Sequence, residues 1–113
     1  MAAVANLRID QGTTFTTDVT VKDNAGDAFD LTGYTASAKM AKGYASTKTR
    51  VTITATVTSA STGVITLSMT ADETNALDAP ARYVFDVEIL RTNDSTITRV
   101  IEGIITVSPS VTT

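Results

Sequence analysis

The sequence contains neither cysteine nor histidine, and this double absence removes several classes of chemistry. Without cysteine there is no disulfide framework, no thiolate metal site and no cysteine nucleophile. Without histidine the chain lacks the commonest general base, the commonest metal ligand and the side chain that titrates near neutral pH. Most hydrolase mechanisms are thereby excluded, and an enzyme would need an unusual carboxylate-only or lysine mechanism, for which the sequence shows no grouped candidates. We therefore predict that the protein is not an enzyme and has no catalytic residues, no metal site and no cofactor.

Basic residues are also few, and long apolar runs are missing. Nine Lys and Arg against twelve Asp and Glu give a formal charge of −3, and the nine are scattered along the chain. No clustered basic footprint for nucleic acid is visible. No stretch approaches the roughly 18 apolar residues that a membrane span needs, and residues 1–6 lack the basic start of a signal peptide. We therefore expect binding to neither nucleic acid nor membrane, and no export by an obvious signal.

What the chain does contain is a pattern that favours β-strands. Its 113 residues with 42% hydrophobic content fit one domain with one core. Threonine supplies 23 residues, many of them alternating with Val, Ile or Ala, and β-branched residues favour strands. Alternation predicts strands over 6–10, 13–22, 34–40, 51–58, 64–69, 82–91 and 96–107. We predict a single all-β domain over residues 1–113, with short terminal arms at about 1–5 and 108–113.

The number and spacing of these strands indicate the architecture. Seven or eight strands at intervals of roughly 8–12 residues are typical of an immunoglobulin-like antiparallel β-sandwich, and a small barrel is the alternative. Thr70 and Glu73 are spaced as a capping box, in which the Thr hydroxyl and the Glu carboxylate each bind the other residue's N–H. This spacing predicts one short helical turn that continues through Leu77.

The last predicted strand has apolar residues on both faces. Strict alternation places one set on the first face: Ile97, Arg99, Ile101, Gly103, Ile105 and Val107. It places Val100 and Ile104 on the second face. A strand that is apolar on both sides is either central in the sheet or covered by a partner. Val100 and Ile104 are therefore the candidate interface residues.

Two groups of carboxylates could be taken for ligand sites. Asp23, Asp27 and Asp30 lie in a region rich in turn-forming residues, where oxygen ligands could hold calcium. Their spacing does not match an EF-hand loop, so hydrogen bonding within turns is favoured. Asp72 and Glu73 could be a carboxylate pair, but the first turn of a helix favours acidic residues for its dipole. Helix capping is therefore the preferred interpretation.

Tyr34, Tyr44 and Tyr83 could form a platform that stacks on sugar rings. Alternation turns Tyr34 and Tyr83 inward and leaves only Tyr44 exposed, so packing in the core is favoured. Aromatic residues make up only 5% of the chain. A carbohydrate-binding or adhesin module that recognises a host surface is therefore an alternative function, not the preferred one.

Four stretches together carry a family resemblance. They are residues 29–34 (FDLTGY), 63–67 (GVITL), 82–88 (RYVFDVE) and 99–103 (RVIEG). In their order and spacing they resemble the small immunoglobulin-like virion domains of phages. The chain is similar to the N-terminal domain of upper baseplate proteins and to short structural proteins of tailed cyanophages. One departure is Ala79, Pro80 and Ala81, because the family pattern has a Gly before the tyrosine of the late strand.

The resemblance implies a non-enzymatic structural component of a phage virion, in the tail and baseplate or associated with the head. Its partners would be other virion proteins, and the chain would occur as a homo-oligomer or in a multi-copy assembly. It would be assembled in the cytoplasm of the bacterial host and located in the virion. A capsid decoration protein is the alternative place in the particle.

Overall fold

The computed structural model describes residues 3–23, 25–43 and 50–109, and within these ranges it contains eight β-strands and one short helix. The elements are β1 (Ala3–Val4), β2 (Leu7–Asp10), β3 (Phe15–Thr20), β4 (Tyr34–Ala41), β5 (Val51–Ser59), β6 (Val64–Met69), α1 (Ala71–Asn75), β7 (Ala81–Arg91) and β8 (Thr96–Ser108). The predicted all-β fold with one short helical turn is confirmed.

The strands form one mixed sheet in the order β1, β8, β7, β4, β5, β6, β3, and β2 also pairs with β8. Five strand pairs are antiparallel, whereas β1 and β2 each run parallel to β8. The prediction of a purely antiparallel arrangement is therefore wrong at this edge. Residues 3–5, predicted as an arm, lie against β8, and the Ala5 N–H donates to the Glu102 carbonyl at 2.9 Å.

Strand β5 joins two halves of the sheet because it changes partner along its length. Val51 to Ile53 pair with β4, whereas the register from Thr54 to Ser59 pairs with β6. The sheet curls at this point. One half contains β3, β5 and β6, and the other contains β4, β7, β8, β1 and β2. A single hydrophobic cluster takes inward side chains from both halves.

The core follows the alternation that the sequence predicts for β6 and β7. The inward side chains of these two strands are all buried: Ile65, Leu67, Met69, Tyr83, Phe85, Val87 and Ile89. Burial of each large apolar side chain contributes about 1.5–3 kcal/mol, which offsets the entropy of ordering the strands. The outward residues of the same strands are only half-buried or exposed.

The helix begins with the predicted capping box. The Thr70 hydroxyl accepts from the Glu73 N–H at 3.2 Å, and a Glu73 carboxylate oxygen accepts from the Thr70 N–H at 2.8 Å. Asp72 and Glu73 both lie in the first helical turn, where acidic side chains favour the helix dipole. The capping interpretation is confirmed, and the buried Leu77 anchors the chain just after the helix.

Thr74 attaches this helix to the turn between β2 and β3. It is the one fully buried polar side chain in the part of the chain that the structure describes. Its hydroxyl accepts from the Gly12 N–H at 3.1 Å and donates to the Thr13 carbonyl at 2.7 Å. The Thr74 hydroxyl therefore ties the helix to the turn between β2 and β3, and the Gln11 side chain of the same turn adds a second tie by donating to the Leu77 carbonyl at 2.8 Å.

Replacing Thr74 by Val is expected to lower the free energy of unfolding by about 1–3 kcal/mol, because the isosteric side chain leaves the Gly12 N–H and the Thr13 carbonyl without their hydroxyl partner. Urea unfolding followed by circular dichroism measures the loss. Thr74→Ser is the matched control, since it keeps the hydroxyl and removes only a methyl group. Equal losses in the two variants would show that packing of the methyl group, and not the hydroxyl, holds the turn.

Candidate assembly surface

The side of β4, β7 and β8 that faces away from the core, here called the outer face, carries a row of apolar residues. Ala41, Val84 and Ile104 lie directly opposite one another across the three strands. Ile104 is 40% exposed. Val4 on β1 is 73% exposed. It pairs with Glu102 on β8, and Glu102 lies two residues before Ile104. We call Val4, Val84 and Ile104 the apolar patch.

A group of charges lies beside the apolar patch. Asp86 and Glu102 are directly opposite each other on β7 and β8, which is unfavourable for two carboxylates. Arg99 reaches both of them. Its Nε lies 3.3 Å from an Asp86 carboxylate oxygen, and one of its Nη atoms lies 3.5 Å from a Glu102 carboxylate oxygen. Lys39 on β4 faces Asp86 from the other side. We call Lys39, Asp86, Arg99 and Glu102 the charged cluster.

A depression of about 470 Å³ lies over this cluster, and its lining includes Ser37, Lys39, Arg50, Asp86, Glu88 and Arg99. Partly exposed ion pairs contribute little to folding, with a median of about 0–1 kcal/mol. In protein interfaces in general, charges of this kind affect the choice and orientation of a partner more than they affect folding. The outer face therefore presents exposed apolar side chains with charged side chains beside them.

The predicted interface pair does not share this face, because β8 contains a β-bulge. Val87 is opposite Ile101, but the next residue, Glu88, is opposite Arg99, so Val100 is an extra residue in β8. A bulge inserts one residue and reverses the alternation on one side of it. Val100 consequently turns inward and is 1% exposed.

The common outer face of Val100 and Ile104 is therefore a wrong prediction, and Val100 is a core residue. The bulge also puts two other residues on the face opposite to the predicted one. Arg99 and Ile97, which strict alternation places with the core residues, are exposed. Ile104 keeps the outward position that the sequence predicts, and its role as an interface residue stays a prediction.

The carboxylates near the first turns bind backbone and hydroxyl groups of their own loops. One Asp23 oxygen accepts from the N–H groups of Ala25 at 2.9 Å and Asp27 at 3.0 Å. One Asp30 oxygen accepts from the Thr32 hydroxyl at 2.6 Å and from its N–H at 2.9 Å. The turn interpretation is confirmed for Asp23 and Asp30. Among the described residues, no group of three or more Asp and Glu side chains is arranged to hold a metal ion.

These turn contacts give one carboxyl group a pH-dependent role. The hydroxyl of Thr32, and after it the Thr32 N–H, lower the pKa of Asp30. A carboxyl whose pKa is lower in the folded chain stabilises the fold above its unfolded pKa. This stabilisation is lost as the pH falls through the folded pKa, so the turn before β4 weakens only in acid.

The described tyrosines pack towards the core. Tyr83 is buried, and its hydroxyl accepts from the Asp78 N–H at 3.0 Å. Tyr34 is half-buried and meets the Phe29 ring edge-on, with the ring centroids 5.5 Å apart. The packing interpretation is confirmed for both, whereas Tyr44 lies outside the described residues.

Two members of the outer face could not be found from the sequence. Val4 joins it only because β1 pairs with β8, and Arg99 joins it only because of the bulge.

No helix in residues 3–23, 25–43 or 50–109 is long and apolar enough to cross a membrane. No protein-family model matches the sequence, and no curated protein matches it.

Proposed function

We propose that the protein is a non-enzymatic structural component of a phage virion and that it binds neighbouring virion proteins through the outer face. The observation that carries the proposal is the exposure of Val4 and Ile104 beside the charged cluster. Protein interfaces combine an apolar centre with a polar rim, and the apolar patch and the charged cluster provide these two parts. The four stretches that resemble phage virion domains support the choice of particle.

Strand pairing supports an immunoglobulin-like variant of the sheet. In an immunoglobulin sandwich, strands B, E and D form part of one sheet, and strands C, F and G form the other. Here β3, β6 and β5 are neighbours, and so are β4, β7 and β8. Tyr83 near the start of β7 binds the backbone of Asp78 upstream, which resembles the tyrosine corner of that fold.

The patch and the cluster together favour a protein partner of mixed charge. Of the four residues in the charged cluster, two are basic and two are acidic, so the cluster matches neither a strongly basic nor a strongly acidic surface. A partner with its own alternating charges and an apolar centre fits best. We favour the tail and baseplate over the capsid surface as the location.

Microscopy of intact phage particles with a labelled antibody against this protein tests the location. Label at the tail supports the proposal, and label over the head moves the protein to the decoration alternative. Particles that carry no label, although the infected cells contain the protein, would contradict a virion role. Particles from a phage that lacks the gene are the control for the specificity of the antibody.

The contact surface is tested by replacing Ile104 with Asp. The variant is expected to fold, with its free energy of unfolding lowered by about 1 kcal/mol, because the side chain is 40% exposed but Asp is disfavoured in strands. It is expected to be incorporated into particles at a tenth of the normal level or lower, because a buried unpaired carboxylate opposes docking. Quantitative mass spectrometry of particles grown with each variant measures incorporation.

Thr106→Asp is the matched control for this experiment. Thr106 is exposed on the same face of the same strand, two residues beyond Ile104, and the change introduces the same charge. Normal incorporation of the Thr106 variant with loss of the Ile104 variant assigns the contact to the apolar patch. Equal incorporation of both would exclude Ile104 from the contact.

A further inference from the structure

One edge of the curled sheet has no neighbouring strand in the part of the chain that the structure describes. Strand β3 pairs with β6 on one side only, because the first two strands pair with β8 at the opposite edge. An open edge strand presents a row of N–H and carbonyl groups to which another strand can pair.

The phase of hydrogen bonding along β3 follows from one contact at its end. The Val21 N–H donates to the Gly63 carbonyl at 2.7 Å, which continues the register of β3 with β6. Bonded and non-bonded pairs alternate along an antiparallel ladder. Thr17 and Val19 therefore bond to β6, whereas Thr16 and Asp18 direct their N–H and carbonyl groups towards the open side.

Strand β3 has few of the features that usually protect an edge, since Asp18 is its one charged residue. It contains no proline and no lysine, and its inward residues Phe15 and Thr17 are only half-buried. A groove of about 380 Å³ beside it is lined by residues of β2 and β3, among them Leu7, Phe15 and Thr17. The β2 side of the same groove carries Arg8 and Asp10, which form an exposed ion pair at 3.7 Å.

We propose that the open edge binds β3 of a second copy of this chain, antiparallel about a two-fold axis through Thr17. In this register Phe15 lies opposite Val19 of the second copy on the inward side, above the groove. Thr16 lies opposite Asp18 of the second copy on the outward side, so that a hydroxyl meets a carboxylate. The sequence of β3 is thus complementary to itself about Thr17.

The same pairing of threonine with aspartate already occurs inside the chain. Thr66 lies directly opposite Asp18 on β6, and its hydroxyl donates to an Asp18 carboxylate oxygen at 2.7 Å. Shifting the two-fold axis to Asp18 would place two carboxylates directly opposite each other, which is unfavourable. Shifting it to Thr16 would pair Phe15 with Thr17 and remove the contact with Val19. Thr17 is therefore the favoured centre.

This association is independent of the proposed virion role and of the outer face, since β3 and Ile104 belong to different halves of the sheet. The first measurement is the mass of the purified protein by analytical ultracentrifugation over a range of concentrations. Thr16→Asp places like charges opposite each other twice in the dimer. We expect it to weaken dimerisation by roughly tenfold or more.

Two variants make this test specific. Thr54→Asp is the matched control. Thr54 is an exposed residue of β5 that pairs with Ser68 of β6, away from the open edge, so this variant should leave the dimer unchanged. The double variant Thr16→Asp with Asp18→Thr exchanges the two side chains and restores their complementarity. It is expected to recover most of the dimerisation that Thr16→Asp alone removes.

A cysteine cross-link tests the position of the axis directly. The natural chain has no cysteine. At a non-bonded antiparallel pair the two Cα atoms are about 4.5 Å apart, which is within the range for a disulfide. Thr17→Cys should therefore oxidise to a covalent dimer, whereas Thr54→Cys should stay monomeric under the same conditions.

Cross-linking of the Thr17 variant, together with loss and recovery of the dimer in the charge variants, supports the proposal. A protein that remains monomeric at about 1 mM would overturn it. A dimer that responds equally to Thr16→Asp and Thr54→Asp would also overturn it. If Ile104→Asp alone dissociated such a dimer, the outer face would be the surface that joins the two copies.

Discussion

Replacing Val100 by Asp is expected to unfold the protein, whereas the same replacement at Ile104 leaves it folded. Val100 is 1% exposed and occupies the bulge of β8, so its variant would bury a carboxylate among apolar side chains. A buried unpaired charge costs several kcal/mol, which is comparable with the 5–15 kcal/mol that stabilises a typical domain. Circular dichroism and urea unfolding of the two variants measure the difference.

Val100→Ala is the control that separates charge from packing. It leaves a small cavity and is expected to cost about 2 kcal/mol, with the fold retained. If Val100→Asp instead gave a stable, folded protein that failed to enter particles, Val100 would be a surface residue after all. That result would contradict the bulge as well as the assignment of Val100 to the core.

The features that the sequence predicted correctly depend on neighbours within one element. Alternation in β7 turns Phe85 and Val87 inward, and it requires only that the strand be regular over its length. The capping box at Thr70 and Glu73 is likewise a local motif, in which both partners lie within one turn. Such features follow from the side chains of a single segment, so the sequence is sufficient to find them.

The features that the sequence did not predict depend on pairing between distant segments. Val100 has no side-chain property that marks a bulge, because the extra residue is defined by the register of β8 on β7. The parallel pairing of Ala3 and Val4 with β8 joins residues almost a hundred positions apart. Local pattern carries no information about either choice, which is decided by the packing of the whole sheet.

The candidate surface shows the same division. The sequence predicted the outward position of Ile104 correctly because Ile104 lies beyond the bulge. There the residues still alternate, with Gly103 and Ile105 inward and Ile104 outward. Arg99 was placed on the wrong face because it precedes the bulge. The charged cluster, in which Arg99 contacts Asp86 and Glu102, is therefore visible only in the structure.

Replacing Gly103 by Ala is expected to lower the free energy of unfolding by at least about 2 kcal/mol, because the added methyl group has no space. A Cβ at this position would overlap the Ala5 carbonyl oxygen, lie 2.7 Å from the Ala5 carbonyl carbon and lie 3.1 Å from the Phe85 ring. Backbone atoms cannot move aside as a flexible side chain can. Urea unfolding measures the loss, and hydrogen exchange at the Ala5 amide, which is bonded to Glu102, should become faster.

Shortening the chain so that it begins at Leu7 separates this clash from other causes. The shortened chain has no Ala5, so Gly103→Ala should then cost little or even stabilise β8, since Ala is preferred to Gly inside a strand. Gly33→Ala is the matched control, because Gly33 has φ +84° and nothing lies within 4 Å of an added Cβ. Its cost comes from backbone strain and should be the same in both chain lengths. A Gly103→Ala cost that did not change on shortening would mean that Ala5 does not pass over Gly103 in solution.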